Sequence, residues 1–249
     1  MKSGFPYLVD VKITERCPFG CKMCYQSSTN KGEDADEDYL RYYLPWALKE
    51  VGVFEVAFGG GEPTLYKGRN FPISFSQVLK QWKKNNFIVS FTTKNYNLYQ
   101  LYDFGDIIQN TDSIAISVNS VDQLHKALKL KSLIDKLSEY SIKIYFQIIF
   151  GVPKYDEFMK MLEIIDYNPI TLLGYKRFGF GINYKENIYP EDWLEHIKIR
   201  NKGSISADSV MINRYRDKLL EAGVLERWLV GKEGESTCLL YTSPSPRDS

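Results

Sequence analysis

The sequence predicts an α/β fold in which parallel strands alternate with helices. Short runs rich in Val, Ile and Phe recur along the chain, and the segments between them repeat apolar residues at helical spacing. This alternation is typical of βα units around a parallel sheet. The 249 residues, 44% hydrophobic and 25% charged, are enough for one large domain of this class or two small ones.

Six strands are predicted, at residues 7–13, 53–58, 88–93, 113–118, 143–150 and 170–175. Helices are expected between them, at residues 36–50, 74–85, 98–104, 121–140 and 156–166. Six strands with crossover helices fit either an open, doubly wound sheet or a barrel that lacks its last units. In both arrangements ligands bind at the carboxyl ends of the strands.

Polar or glycine-rich residues follow each of the first five predicted strands. They are the cysteine-containing segment 17–24, the glycine segment 59–63, Thr93-Lys94-Asn95, Asn119-Ser120 and Gly151. Because the carboxyl ends of parallel strands share one edge of a sheet, we expect these residues to gather there.

Three of the four cysteines, Cys17, Cys21 and Cys24, have the spacing C-x3-C-x2-C. Such close spacing does not suit a disulfide framework but does suit a metal site. Thiolates are soft ligands that favour iron–sulfur clusters. Three ligands on a four-iron cluster leave one iron open to an external chelator.

Two other metal sites fit the cysteines less well. Zinc prefers four ligands in closed geometry, and the two histidines, His125 and His196, lie far along the chain from the cysteines. A ferredoxin-like electron carrier needs a fourth cysteine near the others.

The segment Gly59-Gly60-Gly61-Glu62-Pro63 follows the second predicted strand directly. Glycines permit backbone angles closed to other residues and let a ligand approach the main chain. On its own, this segment is equally consistent with an ordinary turn. It lacks the spacing of a nucleotide phosphate loop.

Together the cysteine spacing and the Gly-Gly-Glu-Pro motif resemble the radical SAM family over about residues 7–181. The resemblance implies a partial (β/α)6 TIM-like barrel of parallel strands with outer helices. It also implies that Cys17, Cys21 and Cys24 hold a 4Fe–4S cluster whose open iron is chelated by the amine and carboxylate of S-adenosyl-L-methionine.

Further cofactor contacts are implied by position in the family. The resemblance places the methionine amine against Gly59, Gly60, Gly61, Glu62 and Pro63, and the adenine near Met23. It implies carboxylate and ribose contacts at Ser117, Asn119 and Gln147, and at Thr92 or Thr93. Tyr175 and Lys176 are hypothesised to point toward the cofactor, the alternative being a surface loop.

The resemblance also implies an activity, the reductive cleavage of S-adenosylmethionine to a 5'-deoxyadenosyl radical that abstracts hydrogen from a substrate. The substrate is a peptide, a protein or a small molecule, and Thr64-Leu65 after the motif slightly favours peptide modification. An electron donor such as flavodoxin or ferredoxin is the implied partner. The alternative is a non-enzymatic iron–sulfur protein that senses redox state or binds a partner.

Charge and hydropathy exclude some partners. Lys and Arg total 32 against 31 Asp and Glu, so net charge favours neither nucleic acid nor a membrane surface. No apolar run approaches the roughly 20 residues that span a bilayer, and the N-terminus lacks the pattern of a signal peptide. We therefore expect a cytoplasmic protein.

Three regions are predicted along the chain. Residues 1–181 form the barrel core, and residues 182–237 form a C-terminal extension that we expect to be truncated. Residues 238–249 resemble the in-frame translation of a sequencing adapter, so we treat them as non-native and outside the fold; the alternative is a natural disordered tail.

Overall fold

The protein is described by a computed structural model over residues 7–137, 142–200, 203–221, 223 and 237–240. Within these residues, eight parallel strands form one sheet in the order β7-β6-β5-β4-β3-β2-β1-β8. The strands are β1 (Leu8–Thr14), β2 (Glu55–Gly60), β3 (Ile88–Thr93), β4 (Ser113–Ser117), β5 (Lys143–Ile149), β6 (Ile170–Leu173), β7 (Ile205–Ala207) and β8 (Thr237–Leu240). The α/β class is confirmed.

Helices connect the strands in chain order. They are α1 (Leu44–Glu50), α2 (Phe75–Lys84), α3 (Phe104–Gln109), α4 (Val121–Leu137), α5 (Tyr155–Ile165), α6 (Trp193–Arg200) and α7 (Ser209–Glu221). A π-helical turn at Tyr39–Tyr43 leads into α1. The last residues of the predicted helix at 121–140 lie outside the described residues.

The helix predicted at 98–104 is wrong in its position. A 3-10 turn covers Leu98–Gln100, and α3 begins only at Phe104. Leu101 has φ −71° and ψ 139°, an extended conformation that cannot continue a helix. Leu98 and Phe104 are both buried, but they belong to two separate elements. Their helical spacing therefore does not indicate one continuous helix.

Two strands lie beyond the six that were predicted. The alternation continues after residue 181 with α6, β7 and α7, and Trp193, Ile197 and Met211 join the same buried cluster as the strands. Residues 237–240, most of which we predicted to be outside the fold, form β8 beside β1. Main-chain pairing at an exposed strand edge accommodates almost any apolar segment, so the adapter origin of 238–249 stays a prediction.

The two faces of the sheet differ in the size of their side chains. On the outer face, Phe58 packs edge-on against Phe75 and Trp82 of α2, with ring centroids 6.0 and 5.3 Å away. The Trp82 indole N–H donates to the Leu40 carbonyl at 2.9 Å. Strand residues alternate between faces, so Ala57, which precedes Phe58 on β2, points inward.

Small or polar residues line the inner face near the carboxyl ends of the strands. Gly59, Ser117 and Gln147 are all half-buried there, and Ser117 and Gln147 are register partners on β4 and β5. The outer face thus holds the helices to the sheet, while the inner face leaves room for a ligand.

Candidate functional site

The cysteine loop (residues 15–33) leaves the end of β1 and returns to it. Its base is closed by main-chain hydrogen bonds, from Glu15 N–H to the Glu33 carbonyl at 2.8 Å and from Cys17 N–H to the Thr29 carbonyl at 2.8 Å. Gly20 has φ 56°, a left-handed conformation that glycine adopts without strain. The loop can therefore turn tightly between the first two cysteines.

A buried aspartate anchors this loop to β1. Asp34, 2% exposed, accepts hydrogen bonds from the Thr14 hydroxyl at 2.5 Å and from the Arg16 guanidinium at 2.9 Å. It also accepts from the Lys67 N–H at 3.3 Å. These contacts fix the residue that precedes Cys17.

Cys17, Cys21 and Cys24 are half-buried thiols that form no disulfide. The Cys24 N–H donates to the Cys21 carbonyl at 3.1 Å, which holds these two residues in one turn. Burial raises the pKa of the Cys17 thiol; the Phe19 N–H opposes the rise, and the charges of Glu62 and the other two cysteines add to it. The thiolate of Cys17 thus lies where a cationic group would stabilise it.

No three His, Cys, Asp or Glu side chains converge on a single metal ion in the part of the chain that the structure describes. A 4Fe–4S cluster does not require such convergence, because each cysteine binds a different iron. Three buried polar atoms of the cysteine loop, Arg16 Nε, Gln26 Oε1 and Ser28 Oγ, have no hydrogen-bond partner among the described residues. Buried polar atoms are normally paired, often with a bound group. The soft, closely spaced thiols fit an iron–sulfur cluster, and the unpaired polar atoms are available to a bound group.

Gly60 and Gly61 join the end of β2 to the cysteine loop. The Gly61 N–H donates to the Thr14 carbonyl at 2.6 Å, and the Glu62 N–H donates to the Arg16 carbonyl at 2.8 Å. A Cβ on Gly61 would lie 2.2 Å from the Arg16 carbonyl oxygen, and Gly60 has φ 113°. Larger residues at either position would push the two loops apart.

Gly59 differs from the two glycines after it. A Cβ built on Gly59 would meet no atom within 4 Å, although the residue is half-buried. Open space therefore adjoins its main chain on the inner face of the sheet, where a ligand can approach closely.

Glu62 ties the end of β2 to the end of β3. Its carboxylate is 1% exposed and accepts from the hydroxyls of Thr93 at 2.7 Å and Thr64 at 2.8 Å, and from the Lys94 N–H at 2.9 Å. Burial raises the pKa of Glu62 despite these hydrogen bonds. Pro63 follows as the first residue of a 3-10 turn, Pro63–Leu65.

The residues predicted on β4 and β5 lie near the same edge. The Asn119 side-chain oxygen accepts from the Ile149 N–H at 2.9 Å, which joins the ends of these two strands. The Ser117 carbonyl accepts from the Tyr96 hydroxyl at 2.7 Å. Ser117 and Gln147 face inward, and Thr92, on β3, is also half-buried.

The segment after β6 (residues 174–184) packs against the cysteine loop. A Cβ on Gly181 would lie 3.2 Å from the Met23 carbonyl oxygen, and the Tyr175 hydroxyl donates to the Gly181 carbonyl at 2.6 Å. The Lys176 ammonium lies 4.9 Å from the centroid of the Tyr25 ring. Tyr175 and Lys176 thus contact protein groups beside the cysteines.

Sequence reasoning assigned no role to Lys94. Its ammonium donates to the Cys21 sulfur at 3.1 Å, across 73 positions of sequence. The only local signal is that Lys94 directly follows a strand that ends at the same edge as β1. Which cysteine it would reach depends on the loop conformation.

The model of the radical SAM superfamily matches residues 11–165, more than half of the chain. PqqA peptide cyclase of Bradyrhizobium diazoefficiens is 38% identical over 66 residues, which cover 26% of this chain and 17% of the cyclase.

No helix in the described ranges is long and apolar enough to cross a bilayer.

Two solved structures have a similar fold. SuiB of Streptococcus suis superposes with a TM-score of 0.62 at 15% identity, covering 86% of this chain and 52% of SuiB. Coproporphyrinogen III oxidase (HemN) of Escherichia coli, a radical SAM enzyme, superposes with a TM-score of 0.51 at 14% identity, covering 86% of this chain and 53% of HemN. The chain spans about half the length of each. At these identities the likeness shows the fold alone, and it confirms the predicted partial TIM-like barrel.

Proposed function

Because the chain belongs to the radical SAM superfamily, we propose that Cys17, Cys21 and Cys24 hold a 4Fe–4S cluster used to cleave S-adenosyl-L-methionine. The observation that carries this proposal is the half-buried set of thiols on a loop bonded to the glycine segment. When bound, the cluster and cofactor supply one-electron cleavage to methionine and a 5'-deoxyadenosyl radical, which takes hydrogen from the substrate.

The glycine segment and the inner face of the sheet would hold the cofactor. Gly59 leaves open space beside its main chain, so a methionine amine can approach the backbone there. Ser117 and Gln147, paired on adjacent strands, offer a hydroxyl and an amide to the carboxylate and ribose. Asn119 is held between β4 and β5, so it would act chiefly by fixing these strand ends.

Glu62 would serve this site mainly by position. Its carboxylate accepts hydrogen bonds from Thr93 and Lys94, which fixes the glycine segment against the end of β3, while its N–H donates to the Arg16 carbonyl of the cysteine loop. Its buried charge favours a cationic group nearby, and a cofactor ammonium or sulfonium is such a group.

The segment after β6 would exclude water from one side of the cofactor. Gly181 approaches the Met23 main chain, and Lys176 lies over Tyr25. We propose that the adenine binds beside Met23 at this contact. Exclusion of water protects a reactive radical from side reactions.

A peptide or protein is the proposed substrate. One match is named PqqA peptide cyclase, and SuiB has been solved bound to its precursor peptide SuiA. These matches cover part of each relative, so the peptide assignment goes beyond the family. Flavodoxin or ferredoxin would supply the electron, and a cytoplasmic location stays a prediction.

Chromatography of 5'-deoxyadenosine tests the proposed chemistry. Anaerobically reconstituted protein, given a strong reductant and S-adenosylmethionine, should release it, and Cys21→Ala should abolish the release. Cys238→Ala is the matched control, because this cysteine lies outside the C-x3-C-x2-C spacing. Cleavage retained in Cys21→Ala would contradict the proposal. A wild-type cluster without cleavage would instead indicate a non-enzymatic iron–sulfur protein.

A further inference from the structure

Lys94 is held in place by main-chain and side-chain contacts on both sides. Its N–H donates to the Glu62 carboxylate at 2.9 Å, and the next N–H, of Asn95, donates to the Thr93 hydroxyl at 2.9 Å. The Tyr96 hydroxyl then bonds to the Ser117 carbonyl at 2.7 Å. Because the Glu62 N–H donates to the Arg16 carbonyl at 2.8 Å, the backbone from which the Lys94 side chain extends is linked through Glu62 to the cysteine loop.

The Lys94 ammonium contacts a sulfur that the proposed function assigns to the cluster. The Nζ to Cys21 Sγ distance is 3.1 Å, and Lys94 is half-buried. By contrast Lys22, next to Cys21 in sequence, is exposed. Partial burial weakens solvent screening, so the charge of Lys94 acts on Cys21 more strongly than that of Lys22.

We infer that Lys94 raises the reduction potential of the cluster by donating a hydrogen bond and placing positive charge at the Cys21 sulfur. This inference rests on the proposed function. Reduction adds one electron from an external one-electron donor, so the reduced form is the more negative one, and a nearby cation stabilises it more than the oxidised form. No bond forms or breaks and no proton has to move in this step.

Lys94 acts through Cys21 and is therefore a positioning residue in this account. A purely structural role would change cluster content or protein stability without moving the potential. The potential of the cluster is the readout that separates these two roles.

The test is a redox titration of the cluster followed by electron paramagnetic resonance, without S-adenosylmethionine. The potential at which half of the wild-type clusters are reduced serves as the reference. At this reference potential, Lys94→Met should lower the ratio of reduced to oxidised cluster about tenfold. This change is equivalent to a reduction potential lower by about 59 mV for a one-electron couple. Lys94→Arg, which keeps charge and donor, should stay near wild type.

Lys22→Met is the matched control, because it removes the same charge beside the same cysteine from an exposed position. It should change the ratio by less than about twofold. A Lys94→Met ratio no different from that of Lys22→Met overturns the inference. So does a Lys94→Met variant that loses S-adenosylmethionine affinity while its potential stays unchanged.

Iron and sulfide analysis of each protein precedes the titration. If Lys94→Met does not retain wild-type iron, Lys94→Gln is titrated in its place, with the same expected direction and the same control. A wild-type chain without a cluster overturns both this inference and the proposed function. A wild-type cluster with an unshifted variant overturns the inference alone.

Discussion

Glu37 and Glu62 are both almost completely buried, at 0% and 1% exposure, but the pKa values of their carboxyl groups shift in opposite directions. Glu37 lies between β1 and α1, and Glu62 follows β2 at the candidate site. The comparison sets a carboxylate that holds a loop in the fold beside one that lies at the candidate site.

Glu37 is surrounded by main-chain donors. Burial alone would raise its pKa, but the N–H groups of Asn70, Arg69 and Phe71 outweigh burial and lower it. Their distances to the carboxylate run from 2.8 to 3.1 Å. These hydrogen bonds stabilise the buried charge of Glu37, and through them Glu37 holds the loop before α2 in place.

Glu62 also accepts several hydrogen bonds, but they do not outweigh the effect of its burial. Burial is the largest influence and raises its pKa, while hydrogen bonds from Lys94, Thr93 and Thr64 only oppose the rise. The Glu62 charge in turn raises the pKa of Cys17. A buried carboxyl group whose pKa is raised despite its hydrogen bonds is typical of functional sites.

Glu37→Ala should give the largest effect on stability. It removes the acceptor for the N–H groups of Arg69, Asn70 and Phe71, so the free energy of unfolding should fall by about 2–4 kcal/mol. Denaturant unfolding measures this. Glu33→Ala is the control, because the Glu33 carboxylate forms an exposed ion pair with Arg69 at 3.5 Å and its removal should cost less than about 1 kcal/mol. Equal losses in the two variants would contradict the role of Glu37.

Glu37→Gln should make stability less dependent on pH in the acid range. The folded-state pKa of Glu37 lies below its ordinary value of 4.5. The charged carboxylate therefore stabilises the fold fully above pH 4.5, and this stabilisation is lost as the pH falls through the folded-state pKa. Wild type should exceed the variant by about 1–2 kcal/mol at neutral pH, with the difference shrinking below pH 4.5. A difference independent of pH would rule out a lowered pKa.

Glu62→Gln should give the smallest effect at neutral pH, under about 1 kcal/mol, and the opposite dependence on pH. Its raised folded-state pKa means that the folded protein binds more protons than the unfolded chain above pH 4.5. The stability of wild type relative to the variant should therefore fall as pH rises from 4.5 through the folded value. Unfolding of both proteins across this range checks the sign; a rising difference would refute it.

The regular elements of the barrel could be predicted from sequence because they depend on local patterns. The strand predicted at 88–93 matches β3, and the cysteines follow β1 as expected. Local patterns failed at residues 98–104, where the extended backbone of Leu101 interrupts otherwise helical spacing.

Contacts between distant segments could not be predicted in the same way. Glu37 reaches donors 32–34 positions away, and Lys94 reaches Cys21 across 73 positions. The roles of the three glycines could not be predicted either, because the sequence motif does not distinguish Gly59, Gly60 and Gly61 from one another. Their separate roles appear only when the cysteine loop is in place beside them.

The claim on which the proposed function depends is that three cysteines leave one iron open to S-adenosylmethionine. Electron–nuclear double resonance on the reduced wild-type protein, with the cofactor labelled at its methionine nitrogen and carboxylate oxygen, tests it directly. We predict hyperfine coupling between the cluster and both labelled atoms. A reduced cluster that shows no coupling to either label, or purified protein without iron, would contradict the account.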